Sequence, residues 1–261
     1  MKFNPMRGRI PILKRAYPSL RRRWDDAFAV NGFRLKRWAD AAFLLQHRNY
    51  VDRQIAFYGD FEDTQRAFFF AAMARFPCDL FLDIGANIGL YSILAGRRGL
   101  ARRIVAFEPD ERNALQLGAN VLMNDLVGRV EIVRAAVTDH NGEIAFLPAA
   151  KSSTGQSRVR GPEDEAGGGV RVQALRLDDM FAVSGQRIFV KIDIEGHEQT
   201  ALSGMTQLMA RNAMFIQAES FAPSAPALEA FLAAHGFQRR GQIQSDHYFS
   251  NFDSEAASPP G

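Results

Sequence analysis

From position 80 onward, short apolar runs alternate with longer stretches of helical periodicity. The runs are LFLDI (80–84), RIVAFE (103–108), VEIVRAAV (130–137), RIFVKIDI (187–194) and MFIQAE (214–219). Continuous apolar runs of this length suit strands buried on both faces. The intervening GLYSILAG and DERNALQLGANVLMN, and the later EQTALSGMTQLMAR and APALEAFLAAHG, suit helices. Strands alternating with helices predict βαβ units and a doubly wound, mostly parallel α/β sheet. The closing GFQRRGQIQSDHYFSNF reads as two strands joined by a short turn, an antiparallel edge to that sheet.

Two regions depart from the alternation. Residues 24–50 are rich in helix formers and aromatics and predict one or two amphipathic helices; Gly59-Asp60 then breaks the pattern before an apolar helix over 62–76. Between the third and fourth long runs, GEIAFLPA and VRVQALRL read as extra strands around KSSTGQSRVRGPEDEAGGG. That loop is too long for a connector and predicts a lid or mobile insertion, with Ser153, Thr154 and Gly155 placed to close over a ligand. The expected organisation is an arm over 1–23, a helical region over 24–78, a sheet-bearing domain over 79–252 and a disordered tail over 253–261.

Charge changes the picture at one end. The net charge is +3, yet residues 1–23 hold eight Lys or Arg and no acid. Taking those eight from the 32 bases leaves 24 against 29 acids, so the body is acidic at −5. A basic arm of this kind suits an anionic surface. A peripheral membrane contact through 1–23 is the first expectation, with nucleic acid ranked below it. Apolar stretches fall short of the roughly 18–20 residues of a membrane span, and the arm lacks the apolar core of a secretory signal. With a single cysteine, Cys78, read as a packing residue, the expectation is cytoplasmic residence. Oligomeric state has no signature here.

Candidate chemistry begins at FLDIGANIGLY (81–91), where Asp83 ends an apolar strand two residues before a glycine turn. A strand, glycine turn and helix at the start of a parallel sheet make a nucleotide-binding place at its carboxyl edge. The dinucleotide fingerprint needs G-x-G-x-x-G, whereas here Asn87 and Leu90 stand in the second and third glycine positions. A carboxylate at Asp83 would repel a pyrophosphate and attract a cation. S-adenosyl-L-methionine carries an ammonium and a sulfonium and no phosphate. Gly85 and Gly89 would admit it to the backbone, and Glu108, at the end of the second strand, would accept its ribose hydroxyls. An NAD-dependent enzyme is the competing expectation, disfavoured by Asp83.

FLDIGANIGLYS, AFEPD, NVLMN, AAVTDHNGEIAF, LRLDDM and VKIDIEGHE together resemble the FkbM-type S-adenosylmethionine-dependent methyltransferases, over roughly residues 52–252. The resemblance implies a seven-stranded sheet of the class I, Rossmann-like type. It also implies methyl transfer to a hydroxyl of a small-molecule or glycan acceptor. At Arg134-Ala135-Ala136 the chain departs from the small polar residue common in the family where adenine is contacted.

KIDIEGHE itself puts Lys191, Asp193 and Glu195 on one face of the fourth strand by alternation. Charges in a parallel interior strand need a reason, either an ion-pair network or site chemistry. His197, which titrates near neutrality, is the first candidate for general base. Asp193 would orient the acceptor or the ammonium. Glu195 would serve as base, or join Asp193 on a divalent cation, for which the sequence offers no further support. Asn120 and Asn124 share a helix face and read as caps; Tyr91 and Phe107 read as pocket or core. The rival function class is a non-catalytic binding protein on the same scaffold that works through its basic arm.

Overall fold

The computed structural model describes residues 30–47, 49–149, 157–161, 169–221 and 224–253. It opens with a hairpin, β1 (Phe33–Trp38) and β2 (Ala41–Gln46). A helical turn α1 (Tyr50–Arg53) runs on as a π-helical turn (Gln54–Tyr58), and α2 spans Asp63–Arg75. Then come β3 (Cys78–Ile84), α3 (Leu90–Arg97), β4 (Ala101–Phe107), α4 (Glu111–Met123) and β5 (Val130–Val133). Four short strands follow: β6 (Ala136–Val137), β7 (Gly142–Leu147), β8 (Arg158–Val159) and β9 (Val170–Leu175). The rest is α5 (Leu177–Met180), β10 (Arg187–Ile192), α6 (Glu198–Ser203), α7 (Thr206–Arg211), β11 (Ala213–Glu219), α8 (Ala225–Ala234), β12 (Gln238–Ile243) and β13 (Asp246–Ser250).

The main sheet has seven strands in the order β12-β13-β11-β10-β3-β4-β5. The five strands from β11 to β5 are parallel, and β13 runs antiparallel to both β11 and β12. This is the doubly wound sheet with an antiparallel edge that the alternation predicts. Strand order reverses between β3 and β10, and ligands bind at the carboxyl edge of such a reversal.

Alternation along the central strands sends two sets of side chains to opposite faces. Leu80, Leu82, Ile84, Ile188, Val190 and Ile192 join one core with Leu202, Leu208 and Leu228 from α6, α7 and α8. Phe81, Phe189 and Phe215 lie side by side in register on the other face. They meet Phe69 of α2 at ring separations of 5.6, 5.8 and 6.1 Å, within the range of favourable aromatic pairs. Residues Ala41, Phe43 and Leu45 belong to the same core, so the N-terminal elements pack on the sheet rather than apart from it.

The first correction concerns 24–50. Where helices are expected, residues 33–46 form the hairpin, and among the described residues the first helix starts at Tyr50. Ala39 and Asp40 both take positive φ (48° and 71°), the two-residue turn whose twist matches a hairpin. Apolar residues occupy both parities of AAFLLQ, so alternation is hidden until one face is buried. The other determinant is remote: Asn120 Oδ1 accepts from Leu44 N (2.7 Å) and Asn124 Oδ1 from Ala42 N (2.9 Å). Asn124 Nδ2 returns a bond to the Ala42 carbonyl. The two asparagines thus serve β2 as a neighbouring strand would, rather than only capping α4.

Two further runs divide. VEIVRAAV is not one strand: β5 stays in the main sheet, while β6 pairs with β9 in a second sheet of order β6-β9-β7-β8. The helix expected after the fourth run breaks at Gly204, where a Cβ would lie 2.1 Å from the Thr138 carbonyl oxygen. Close approach of the second sheet, not helix propensity, decides that break. Residues 1–23, the first part of the predicted helical region (24–29), Ser153, Thr154, Gly155 and the tail from 254 lie outside the described residues. No helix among the described residues is long and apolar enough to cross a membrane.

Candidate active site

A cavity of about 750 Å³ opens at the carboxyl edge of β3, β4, β10 and β11, where the strand order reverses. Its wall takes in Asp83, Gly85, Asn87, Glu108, Asp193 and Glu195. The turn after β3 is held by Gly85 and Ala86, whose N–H groups both donate to the Phe107 carbonyl (3.0 and 2.9 Å). Gly85 has φ +79°, and a Cβ there would lie 2.0 Å from the Asp193 carbonyl oxygen, so only glycine fits. Gly89 starts α3 at the end of the same turn, packed against Leu117. Asn120 Nδ2 braces the turn by donating to the Ile88 carbonyl (2.8 Å).

The two strand-end acids are built in differently. Asp83 Oδ2 accepts from Ser92 N (3.0 Å) and Ser92 Oγ (2.6 Å), which ties it to the first turn of α3. Burial pushes its pKa up, against the pull of Lys191 and Ser92. Glu108 accepts from Asn87 N (2.7 Å) and Asp110 N (2.8 Å), one on each oxygen. The Asn113 side chain hydrogen-bonds the same carboxylate, which has about four lone-pair sites and so keeps room for a ligand hydroxyl. Burial raises Glu108 to about 7. Among the described residues the Asn87 Oδ1 is a buried acceptor without a hydrogen bond. An acceptor awaiting a donor, a turn too tight for a Cβ and a carboxylate with room for a ribose hydroxyl fit S-adenosylmethionine.

KIDIEGHE resolves into three roles. Lys191 Nζ donates to Asp193 Oδ2 at 2.8 Å, the ion pair that alternation allows. Burial opposes the Lys191 charge, yet Asp193, Glu62 and Asp83 push its pKa above the ordinary value. Burial would raise Asp193, but Lys191 and a hydrogen bond with Glu219 hold it low. Glu219 goes up to about 8, from burial first and then the Asp193 charge. Strand pairing ends at Ile192, and Glu195 sits past it at φ +56°, a strained conformation for a side chain with a Cβ. Burial, then Asp193 and Glu198, lift Glu195 to about 6.

His197 is the main departure from expectation. It stands at the start of α6, outside the cavity wall, with Nε2 on Thr138 Oγ1 at 3.0 Å. The turn at Gly196 swings it away from the carboxyl edge and toward the second sheet. Glu198 is spent on the same turn, where Oε1 accepts from Ile194 N and Gly196 N. Among the described residues no group of three His, Cys, Asp or Glu side chains is placed to hold a metal.

Sequence reasoning missed Glu62, Glu219 and Asp246, which all line the cavity. Glu219 carried a signal: it ends an apolar strand, as Asp83 and Glu108 do. Glu62 and Asp246 carried none, because α2 and β13 reach the site only through packing. Tyr91 does line the cavity, and its hydroxyl donates to Glu62 Oε2 (2.9 Å). Burial, with Lys191 opposing and Asp193 and Asp246 adding to it, raises Glu62 to about 7.

These raised carboxyls predict a pH effect. Glu62 and Glu108 near 7 and Glu219 near 8 bind protons in the native state that an unfolded chain releases near 4. Where the native state binds more protons, stability falls as pH rises. The ligand-free protein should therefore melt highest near pH 5 and lose stability progressively towards pH 8, read by calorimetric scans across that range.

The strand order, the antiparallel edge and the cavity at the reversal define the methyltransferase class of doubly wound α/β proteins. A family model for the methyltransferase FkbM domain matches residues 83–239, more than half of the chain. The methyltransferase sdnD of Sordaria araneosa is 29% identical over 197 residues, 63% of this chain and 76% of its own. The hexuronic acid methyltransferase AglP of Haloferax volcanii is 27% identical over 134 residues, 50% of this chain and 52% of its own. The 31-O-demethyl-FK506 methyltransferase FkbM of Streptomyces tacrolimicus is 27% identical over 171 residues, 54% of this chain and 65% of its own. The chain belongs to the FkbM-type methyltransferase family.

Proposed function

We propose that the chain transfers the methyl group of S-adenosylmethionine to a hydroxyl of a small-molecule or glycan acceptor. The observation that carries this reading is the convergence of Asp83, Glu108 and Asp193 from three strand ends around a glycine turn, in one cavity. The carboxylates suit a cationic, phosphate-free ligand. When bound, that ligand supplies an electrophilic methyl on a sulfonium. Glu108 holds the ribose hydroxyls, Asp83 and Asp193 face the ammonium end, and Ala135 and Ala136 leave an apolar wall for adenine. The name of the Streptomyces relative, a 31-O-demethyl-FK506 methyltransferase, supports transfer to oxygen, and that of the Haloferax relative, a hexuronic acid methyltransferase, supports a sugar-type acceptor.

A hydroxyl needs its proton removed as the carbon–oxygen bond forms. Glu195 is the base in this reading: it lines the cavity, and its raised pKa near 6 leaves it ionised at neutral pH yet a stronger base than an ordinary carboxylate. His197, turned to Thr138, is given no part. Membrane contact through residues 1–23 stays a separate proposal, tested by loss of binding to anionic vesicles when those residues are removed.

The cofactor assignment is checked by heat. S-adenosylhomocysteine at about a hundred times its dissociation constant should add about 2.7 kcal/mol of stability, and NAD at the same concentration should add none. Stabilisation by NAD with none from S-adenosylhomocysteine would overturn the reading.

A further inference from the structure

The cavity does not end at its own mouth. Phe221, Gln244 and Ser245 line both it and a second, open groove of about 510 Å³. That groove takes its walls from α8, β12 and the start of β13, and its volume lies in the range of small-molecule sites. Phe221 stands at the junction, just past the carboxyl end of β11, and is 58% exposed. One exposed aromatic is ordinary on a protein surface. One shared by two connected cavities is placed to lie against whatever passes between them.

A row of planar polar side chains runs the same way. Arg239 pairs with Glu229 at 3.5 Å, and Arg239 Nη2 donates to Gln242 Oε1 (2.6 Å). Gln242 Nε2 donates to the Gln244 carbonyl (2.8 Å), and Gln65 Nε2, in the cavity wall, donates to Gln244 Oε1 (3.3 Å). Gln244 holds the junction at φ +54°, a conformation that costs a residue with a Cβ and recurs at ligand clamps. Each member is thus held by its neighbour, while the Arg239 and Glu229 side chains stay 39% and 42% exposed. Polar groups fixed before a ligand arrives lose little entropy when it binds.

The make-up of the groove selects among ligands. Among its described residues the aliphatic side chains are Ala225 and Pro226, too little surface for an acyl chain. Arg239 is the one Lys or Arg among them, and Glu229 balances it, so a polyanion finds no net attraction. Sugar hydroxyls both donate and accept, which matches amide, carboxylate and guanidinium edges in a row. The C–H face of a pyranose matches the electron-rich face of an aromatic ring.

We propose that this groove is a second acceptor subsite, which holds an uncharged sugar unit next to the unit being methylated, with Phe221 stacked against the sugar at the junction. The acceptor is then an oligosaccharide or glycoconjugate of at least two units. The proposal rests on the methyl-transfer reading of the cavity and narrows its acceptor to a glycan.

The test is binding of the fluorescently labelled full chain, saturated with S-adenosylhomocysteine at neutral pH, to an array of neutral glycans of one to four hexose units. In at least one linkage series the disaccharide or trisaccharide should bind at least about tenfold tighter than the monosaccharide. Phe221→Ala should cut that advantage at least about fivefold. Gln242→Ala, an exposed position on β12, should cut it as well, and carries the test if Phe221→Ala fails to fold. Equal binding of one unit and several, an advantage that survives in both variants, or no binding to any arrayed glycan each overturns the proposal. Heat stabilisation by S-adenosylhomocysteine, measured on the same samples, tells failure of this proposal from failure of the cofactor reading.

Discussion

Replacing Glu195 by glutamine should lower turnover by about a hundredfold or more, the scale of lost proton-transfer catalysis. The substitution keeps the shape and removes the base, so affinity for S-adenosylhomocysteine should stay within a few-fold. As the proposed base Glu195 would work only when ionised, and its pKa is lifted to about 6 by burial and by Asp193 and Glu198. Wild-type turnover should accordingly rise with pH through about 6 and level off above it. In Glu195→Gln that rise should vanish, whereas His197→Ala should retain both the rise and near-normal turnover. Steady-state kinetics of the three proteins from pH 5 to 8 decide the matter. A slow His197→Ala enzyme beside a normal Glu195→Gln enzyme would return the base to His197.

Gly85→Ala should cost at least about a hundredfold in S-adenosylhomocysteine affinity, about 2.8 kcal/mol. Two effects add. A residue with a Cβ held at φ +79° carries about 1–3 kcal/mol of backbone strain. Worse, the Cβ would stand 2.0 Å from the Asp193 carbonyl oxygen, and that is main chain, which cannot rotate aside. Either the turn or the end of β10 must shift, and both line the cavity. Gly99→Ala separates the two effects: it has φ +63° with nothing within 4 Å of the added Cβ. It should lose about 1 kcal/mol of stability and keep full affinity. Calorimetric titration and thermal scans of both variants provide the check, and unchanged affinity in Gly85→Ala would show a turn that relaxes freely.

How much of this was legible in the chain can be argued from particular residues. The strands β3, β4, β10 and β11 were readable because each is buried on both faces and so appears as a continuous apolar run. Asp83, Glu108 and Asp193 were readable for the same reason: an acid that interrupts such a run at its carboxyl end is costly without a partner. Glu219 obeys the same rule and was within reach. The antiparallel pair β12 and β13 announced itself by its short turn.

What tertiary structure decided depends on contacts that no local period encodes. Residues 33–46 form a hairpin because Asn120 and Asn124, some eighty residues away, satisfy the backbone of β2. The run 130–137 divides because its second half finds β9 rather than β4. His197 leaves the cavity because the chain reverses at Gly196 and Thr138 lies within hydrogen-bond reach. Glu62 and Asp246 enter the cavity only when α2 and β13 pack against the sheet. By itself, then, the sequence determined the parallel sheet and the acids at its edge, because burial on both faces leaves continuous apolar runs that an acid visibly interrupts. The second half of the cavity and the placing of Glu195 in its wall with His197 outside came from segments brought together across the fold, and such proximity leaves no local pattern to read.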